Sequence, residues 1–202
     1  MATSTPSSWV LRIARSRRAV RRKELTAKGV HSQVLSRLVE SGALERVARG
    51  RYRLPDAPTT EYHGLALAAA SVPRGVICLV SALSFHGIGT QLPHEVWIAL
   101  DRRDRRPSLR YPRLRVVRFG GEALTEGVET HRLEGEAVRI YSPAKTVADA
   151  FKYRNKIGLE VALEALREGW RARRFTMSEL QRYAKICRVS RVMQPYLEAL
   201  LG

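Results

Sequence analysis

Between Ser32 and Ser41 the apolar residues recur at a helical period. Val34, Leu35, Leu38 and Val39 share one side, while Gln33, Ser36, Arg37 and Glu40 share the other. One face is built for a core and the opposite face for contact. Gly42 ends this helix, because a glycine beyond a helix C-terminus accepts the left-handed conformation that other residues resist. Leu44 to Val47 then starts an extended segment, Arg49-Gly50 makes a hairpin tip, and Tyr52 and Leu54 alternate with Arg51 and Arg53 on the returning strand. Upstream, Trp9 to Arg18 carries an apolar stripe, Lys23 to Lys28 reads as a short second helix, and Gly29 supplies the turn between helices. Three helices and a two-stranded wing make residues 9–54 a winged helix-turn-helix.

The pattern changes after Leu54. Residues 55–60, Pro-Asp-Ala-Pro-Thr-Thr, form a linker too rich in proline to continue a strand. Within residues 61–202 the sequence predicts a helix over Glu61 to Ser71, a short strand over Val76 to Leu79, and a helix from Ser81, its cap, to Gly87. Strands follow over Glu95 to Leu100, Leu114 to Phe119, Gly127 to Leu133 and Ala137 to Tyr141. From Ser142 the chain reads as helical, with Ser142-Pro143 as cap and first-turn proline and Thr176 to Glu179 as a capping box. The expected fold class is α+β: an N-terminal winged helix-turn-helix, then a mixed domain with a small, mainly antiparallel sheet and C-terminal helices.

Charge adds a partner to this outline. Lys and Arg outnumber Asp and Glu by 36 to 19, a net +17, while 45% of the residues are hydrophobic, so the excess charge sits on a folded surface and not on a disordered tail. A phosphate-rich partner is the economical reading. Arg17, Arg18, Arg21, Arg22 and Lys23 form a run beside the second helix, and Arg46, Arg49, Arg51 and Arg53 line the wing. Both groups are expected to hold phosphates. Ser32, Gln33, Ser36 and Arg37 are expected to read base edges, Arg37 through guanine and Gln33 through adenine. On that division Arg37→Ala flattens sequence preference, whereas Arg49→Ala weakens every duplex alike. Arg102, Arg103, Arg105, Arg106 and Arg110 form a second basic cluster, which reads equally as another nucleic-acid contact or a solvated turn.

Other classes find less support. There is no Walker loop, no Cys-x-x-Cys pair and no His-Glu-x-x-His, so the sequence predicts no catalytic residues, no metal site and no cofactor. A nucleic-acid-processing enzyme is a minority alternative. Cys78 and Cys187 lie among apolar neighbours and read as buried free thiols of a cytoplasmic protein. The longest apolar run, Leu65 to Val72, is closed by Pro73 and Arg74, so no membrane partner is expected. Lys145 and Asp149 are four apart on a helix, and spacing alone makes them an exposed ion pair worth a few tenths of a kcal/mol.

Three passages, LVESGALERVARGRYRL, ICLVSALSFHGIGTQLPHEVWIAL and RIYSPAKTVADAFKY, together resemble the AbiEi antitoxins of bacterial type IV toxin–antitoxin systems. The similarity runs from about Arg21 to Gly169 and does not reach the tail after about Arg171. It implies an N-terminal domain that binds double-stranded operator DNA and represses its own operon. It further implies a C-terminal domain that opposes a nucleotidyltransferase toxin encoded beside it, without implying direct contact between the two. By the same resemblance Ser32, Gln33, Ser36 and Arg37 fall in the recognition helix and Arg46 to Arg53 in the wing. Lys145, Thr146 and Asp149 fall in an SPxKTxxD-like stretch, a candidate antitoxin or partner patch. A homodimer on DNA stays open. So does a stand-alone regulator with a ligand- or partner-sensing C-terminal domain, which the absence of a neighbouring toxin gene would favour.

Overall fold

The computed structural model describes residues 5–17, 19–48, 50–57, 60–109 and 111–201, with the backbone alone described at Arg17, Ala19, Ala48 and Leu201. Arg18, Arg49 and Arg110 therefore lie outside the described residues. The chain divides into two compact units, residues 1–73 with 132–138 and residues 74–131 with 139–202.

The first unit opens with α1 (Pro6–Arg17), β1 (Ala19–Arg21), α2 (Arg22–Thr26), α3 (Ser32–Glu40), β2 (Glu45–Ala48) and β3 (Arg51–Arg53). Leu35 and Leu38 of α3 join Val10 and Ala14 of α1, Leu25 of α2, and Leu44 and Tyr52 of the hairpin in one apolar cluster. Gly29 between α2 and α3, and Gly42 after α3, sit at φ +83° and +72°, where a side chain would be strained. The helices and hairpin thus fall where the apolar pattern places them. β1 was not expected. It lies within the basic run, pairs antiparallel with β3 in register Val20↔Tyr52, and makes a three-stranded sheet of order β1-β3-β2. Three residues, Ala-Val-Arg, are too few to show a period of two, and Val20 is held by burial in the same apolar cluster as Tyr52 as well as by the strand pairing.

This unit is larger than the helices and hairpin alone. It includes α4 (His63–Ser71) and residues 132–138, the tip of a later hairpin. Two acids on that tip are internal partners here. Glu134 accepts hydrogen bonds from the Thr60 amide at 2.8 Å and the Thr60 hydroxyl at 3.0 Å and faces His63 Nδ1 at 2.6 Å. Desolvation pushes the Glu134 carboxyl up, but these partners outweigh it and hold the group below its ordinary value. A carboxyl lowered in the folded state stabilises above its unfolded value and loses that contribution as pH falls through the folded one. Acidification is therefore expected to weaken this unit, with a shallower slope in Glu134→Gln. Equal slopes in denaturant titrations at several pH values would contradict the assignment.

The second unit contains β4 (Val76–Ile77), α5 (Leu79–His86), β5 (Val96–Asp101), β6 (Leu114–Phe119) and α6 (Glu122–Thr125). β7 (Val128–Leu133) and β8 (Glu136–Tyr141) follow, apart from residues 132–138 at their joined ends, which belong to the first unit, then α7 (Pro143–Lys152), α8 (Arg154–Ile157), α9 (Leu159–Arg171), α10 (Met177–Ile186) and α11 (Ser190–Leu201). The sheet order is β6-β5-β4-β8-β7. The expected antiparallel pairing holds for β4 with β5, and the two-residue β7–β8 connection also demands it. Two parallel pairs, β4 with β8 and β5 with β6, amend that expectation and make the sheet mixed. Crossover order cannot be read from strand patterns alone.

α7 is the element on which this unit is built. Ala144 to Phe151 are buried without a break, in contact with α5, α9 and α10. Three alanines, Ala144, Ala148 and Ala150, let those neighbours approach closely. Pro143 occupies the first turn as expected, but the Ser142 hydroxyl makes no capping bond and, among the described residues, is buried without a partner. Ser81 does not cap α5 either. It lies buried within that helix, accepting from the Trp97 amide at 2.9 Å and donating to the Glu95 carbonyl at 3.3 Å, so it holds α5 to β5. The Thr176–Glu179 capping box forms in full at the start of α10. No helix among the described residues is long and apolar enough to cross a membrane.

Candidate nucleic-acid interface

α2, α3 and the β2–β3 hairpin enclose a groove of about 850 Å³. Its lining brings together Arg21, Arg22 and Lys23 from the β1–α2 junction, Ser32 and Ser36 from α3, and Arg46 and Arg51 from the hairpin. No acid lines it among the described residues. Gln33 and Arg37 lie on the exposed face of α3, outside the groove lining. That face projects because Leu35 and Leu38 point into the core. The helix starts on His31, whose Nδ1 accepts from the Gln33 amide at 3.3 Å, a cap that the sequence pattern does not announce.

The basic side chains divide into two groups. Arg22, Lys23, Arg37 and Arg46 are exposed, and among the described residues none has a carboxylate partner. Arg21, Arg51 and Arg53 are engaged. Arg21 meets Glu136 at 2.6 Å and Glu24 at 3.7 Å, Arg51 also pairs with Glu136, and Arg53 pairs with Glu45. Glu136 is 5% exposed, so the two guanidinium groups offset the cost of burying its carboxylate. The wing arginines expected to hold phosphates thus include two, Arg51 and Arg53, already occupied by carboxylates. Removing Glu136 should act in opposite directions on two observables. Glu136→Ala is expected to lose about 1.5–3 kcal/mol of stability, as charged hydrogen bonds vanish. It should also raise affinity for any duplex and steepen the salt slope by about 1–2, as two arginines are released to phosphates. Lower affinity for duplex in a folded Glu136→Ala would contradict this.

The candidate partner patch lies elsewhere and is not a surface. Lys145, Thr146 and Asp149 are each 0% exposed. Lys145 Nζ meets Asp149 Oδ2 at 2.5 Å, and the Cys187 thiol donates to Asp149 Oδ1 at 3.1 Å. The ammonium also lies 4.1 Å from the Tyr141 ring centre and 4.9 Å from that of Phe119. The exposed ion pair expected from spacing is thereby corrected to a buried one, and no partner could touch these three side chains directly. Little free space surrounds them: a Cβ on Gly127 would fall 2.8 Å from the Cβ of Lys145. Burial pushes the Asp149 carboxyl up, opposed by Lys145 and Cys187. Burial, then Asp149, pushes the Cys187 thiol up to about 12, and burial likewise raises Cys78. Both cysteines are free and buried. His86 is half-buried and bonded to the Tyr141 carbonyl at 2.7 Å, a structural role in keeping with its place beside Phe85. Arg102, Arg103, Arg105 and Arg106 are exposed between β5 and β6. Among the described residues no group of three His, Cys, Asp or Glu is placed to hold a metal ion.

The chain is a mixed α+β protein whose N-terminal unit carries a basic groove beside an exposed helix face. Residues 10–55 match the family described as "Transcriptional regulator, AbiEi antitoxin". The family resemblance read from the sequence, from about Arg21 to Gly169, is matched between Arg21 and Pro55, and the matched span covers most of α1 and all of α2, α3 and the hairpin. The fold is similar to that of the RV2827C protein from Mycobacterium tuberculosis, known from a crystal structure, with a TM-score of 0.60 over 90% of this chain and 71% of that one. Sequence identity is 17%, so this likeness speaks to the fold alone. No curated protein matches the chain.

Proposed function

We propose that the N-terminal unit is a winged helix-turn-helix that binds operator DNA and represses its own operon, and that the protein is the antitoxin of a type IV toxin–antitoxin pair. The observation that carries this reading is the groove in which Arg22, Lys23 and Arg46 stand exposed beside Ser32 and Ser36 of α3. The family match over residues 10–55 supports both regulator and antitoxin roles. In this account α3 enters the major groove, with Arg37 and Gln33 reading bases from its exposed face and Ser32 and Ser36 taking a base edge or phosphate. Arg22, Lys23 and Arg46 hold the flanking phosphates and set the register. The protein is paired in function with a nucleotidyltransferase toxin, whose effect the antitoxin opposes without a direct complex being implied.

A reporter driven by the DNA upstream of the gene tests the regulatory half. Supplying the protein should lower expression, and Lys23→Glu/Arg46→Glu should restore it while leaving the protein folded. Unchanged expression with the unaltered protein contradicts autorepression. Growth in cells making the adjacent nucleotidyltransferase tests the other half: rescue by this chain supports the antitoxin role, and continued arrest contradicts it.

A further inference from the structure

The C-terminal unit holds a cavity of about 1060 Å³ that DNA binding by the N-terminal unit does not use. Its walls are the end of β6 with Gly120-Gly121, the α7–α8 junction, and the end of α10. Among the described residues six cations line it, Arg102, Arg118, Lys152, Arg154, Lys185 and Arg188, against one acid, Glu122. Two of them build the wall. Arg118 donates to the Asp101 and Asp104 carbonyls at 2.6 and 2.8 Å, and Arg154 donates to the Phe151 carbonyl at 2.9 Å. Among the described residues Arg102, Lys152, Lys185 and Arg188 have no carboxylate at ion-pair distance, and all four are exposed.

The rest of the lining is of another kind. Tyr153, Ile186 and Val192 are half-buried and supply an aromatic and aliphatic side. Gly120 and Gly121 leave room between the two, since a Cβ built on either meets nothing within 4 Å. Like charges are gathered around a concave space with Glu122 as the single carboxylate among the described lining residues, and this excess of positive charge favours an anionic occupant. Inorganic phosphate would leave most of the volume empty. Small-molecule sites of roughly 300–1,000 Å³ fit a ligand the size of a nucleotide. A ligand with several negative charges at one end and a flat ring at the other matches both sides.

We infer that this cavity binds a nucleoside phosphate, with Lys152, Lys185 and Arg188 holding the phosphates and Tyr153 and Ile186 flanking the base. The ligand has two sources of the same chemistry: a free nucleotide, or the 5′-terminal nucleotide of a single strand.

Calorimetric titration of the full chain separates these. The probes are ATP, GTP, tripolyphosphate and a short oligoribonucleotide carrying a 5′-triphosphate. The variants are Lys152→Glu/Lys185→Glu and, as a control outside the cavity lining, Arg105→Glu. A nucleotide should bind at least about tenfold more tightly than tripolyphosphate, because base stacking adds to phosphate contact. The double charge reversal should weaken it at least about tenfold, and Arg105→Glu should not. Binding of the oligonucleotide without free nucleotide, lost in the same double variant, supports the site with the strand as its source. Tripolyphosphate binding as tightly as the other probes overturns the inference, as does binding equal in the unaltered protein and the double variant, or no binding at all. An unchanged unfolding midpoint shows that the double variant is intact. Unchanged operator affinity in it separates this site from the N-terminal groove.

Discussion

Asp149→Ala is expected to cost about 3–5 kcal/mol of folding stability, because it leaves the Lys145 ammonium buried without a carboxylate. The size follows from an asymmetry. Forming the pair on folding returns little, since both ions lose water, but removing one partner leaves the other's desolvation uncompensated. Two aromatic rings near the ammonium, Tyr141 and Phe119, soften this without supplying a counter-charge. Lys145→Met/Asp149→Leu should therefore be more stable than Asp149→Ala, because neither replacement carries a charge into the core. Denaturant unfolding of the three proteins reads the comparison. A loss under about 1 kcal/mol in Asp149→Ala, the range of an exposed pair, would contradict the buried arrangement.

The second large effect concerns DNA. Arg37 and Arg46 are both exposed arginines of the N-terminal unit, yet they stand in different places, one on the free face of α3 and the other in the groove on β2. Arg37→Ala is expected to cost about 1–3 kcal/mol of discrimination between the operator and an altered duplex. Arg46→Ala should weaken both duplexes alike and reduce the salt slope by about 1. Arg51→Ala should do less, since that guanidinium is already occupied by Glu136. Equal changes in discrimination from Arg37→Ala and Arg46→Ala would sink the division between reading and holding.

Much of the N-terminal unit was legible because each of its signals is local. The α3 stripe, the Gly29 and Gly42 turns and the alternation around Tyr52 all depend on neighbours in sequence. β1 was not, because a strand of three residues is too short to show a period. The state of the wing arginines was hidden for another reason. Glu136 lies 85 residues from Arg51 in the chain, so no local pattern marks the pair. Lys145 and Asp149 were legible as a pair at helical spacing, but spacing does not report burial. A sequence signal did exist in the alanines at 144, 148 and 150, which leave α7 without a broad polar face. The cavity in the C-terminal unit joins residues from four separate stretches. The second basic cluster was visible in the sequence, yet among its described residues only Arg102 lines the cavity.

Sequence-specific DNA binding by the N-terminal groove and α3 underlies the proposed function. It is read by titrating the protein with the DNA upstream of its own gene, against a scrambled duplex, at two salt concentrations. A preference of at least about a thousandfold for the upstream DNA is expected, persisting as salt rises and total affinity falls. Equal binding to both duplexes, collapsing together with salt, would make the charge a general polyanion surface and rule out specific operator binding.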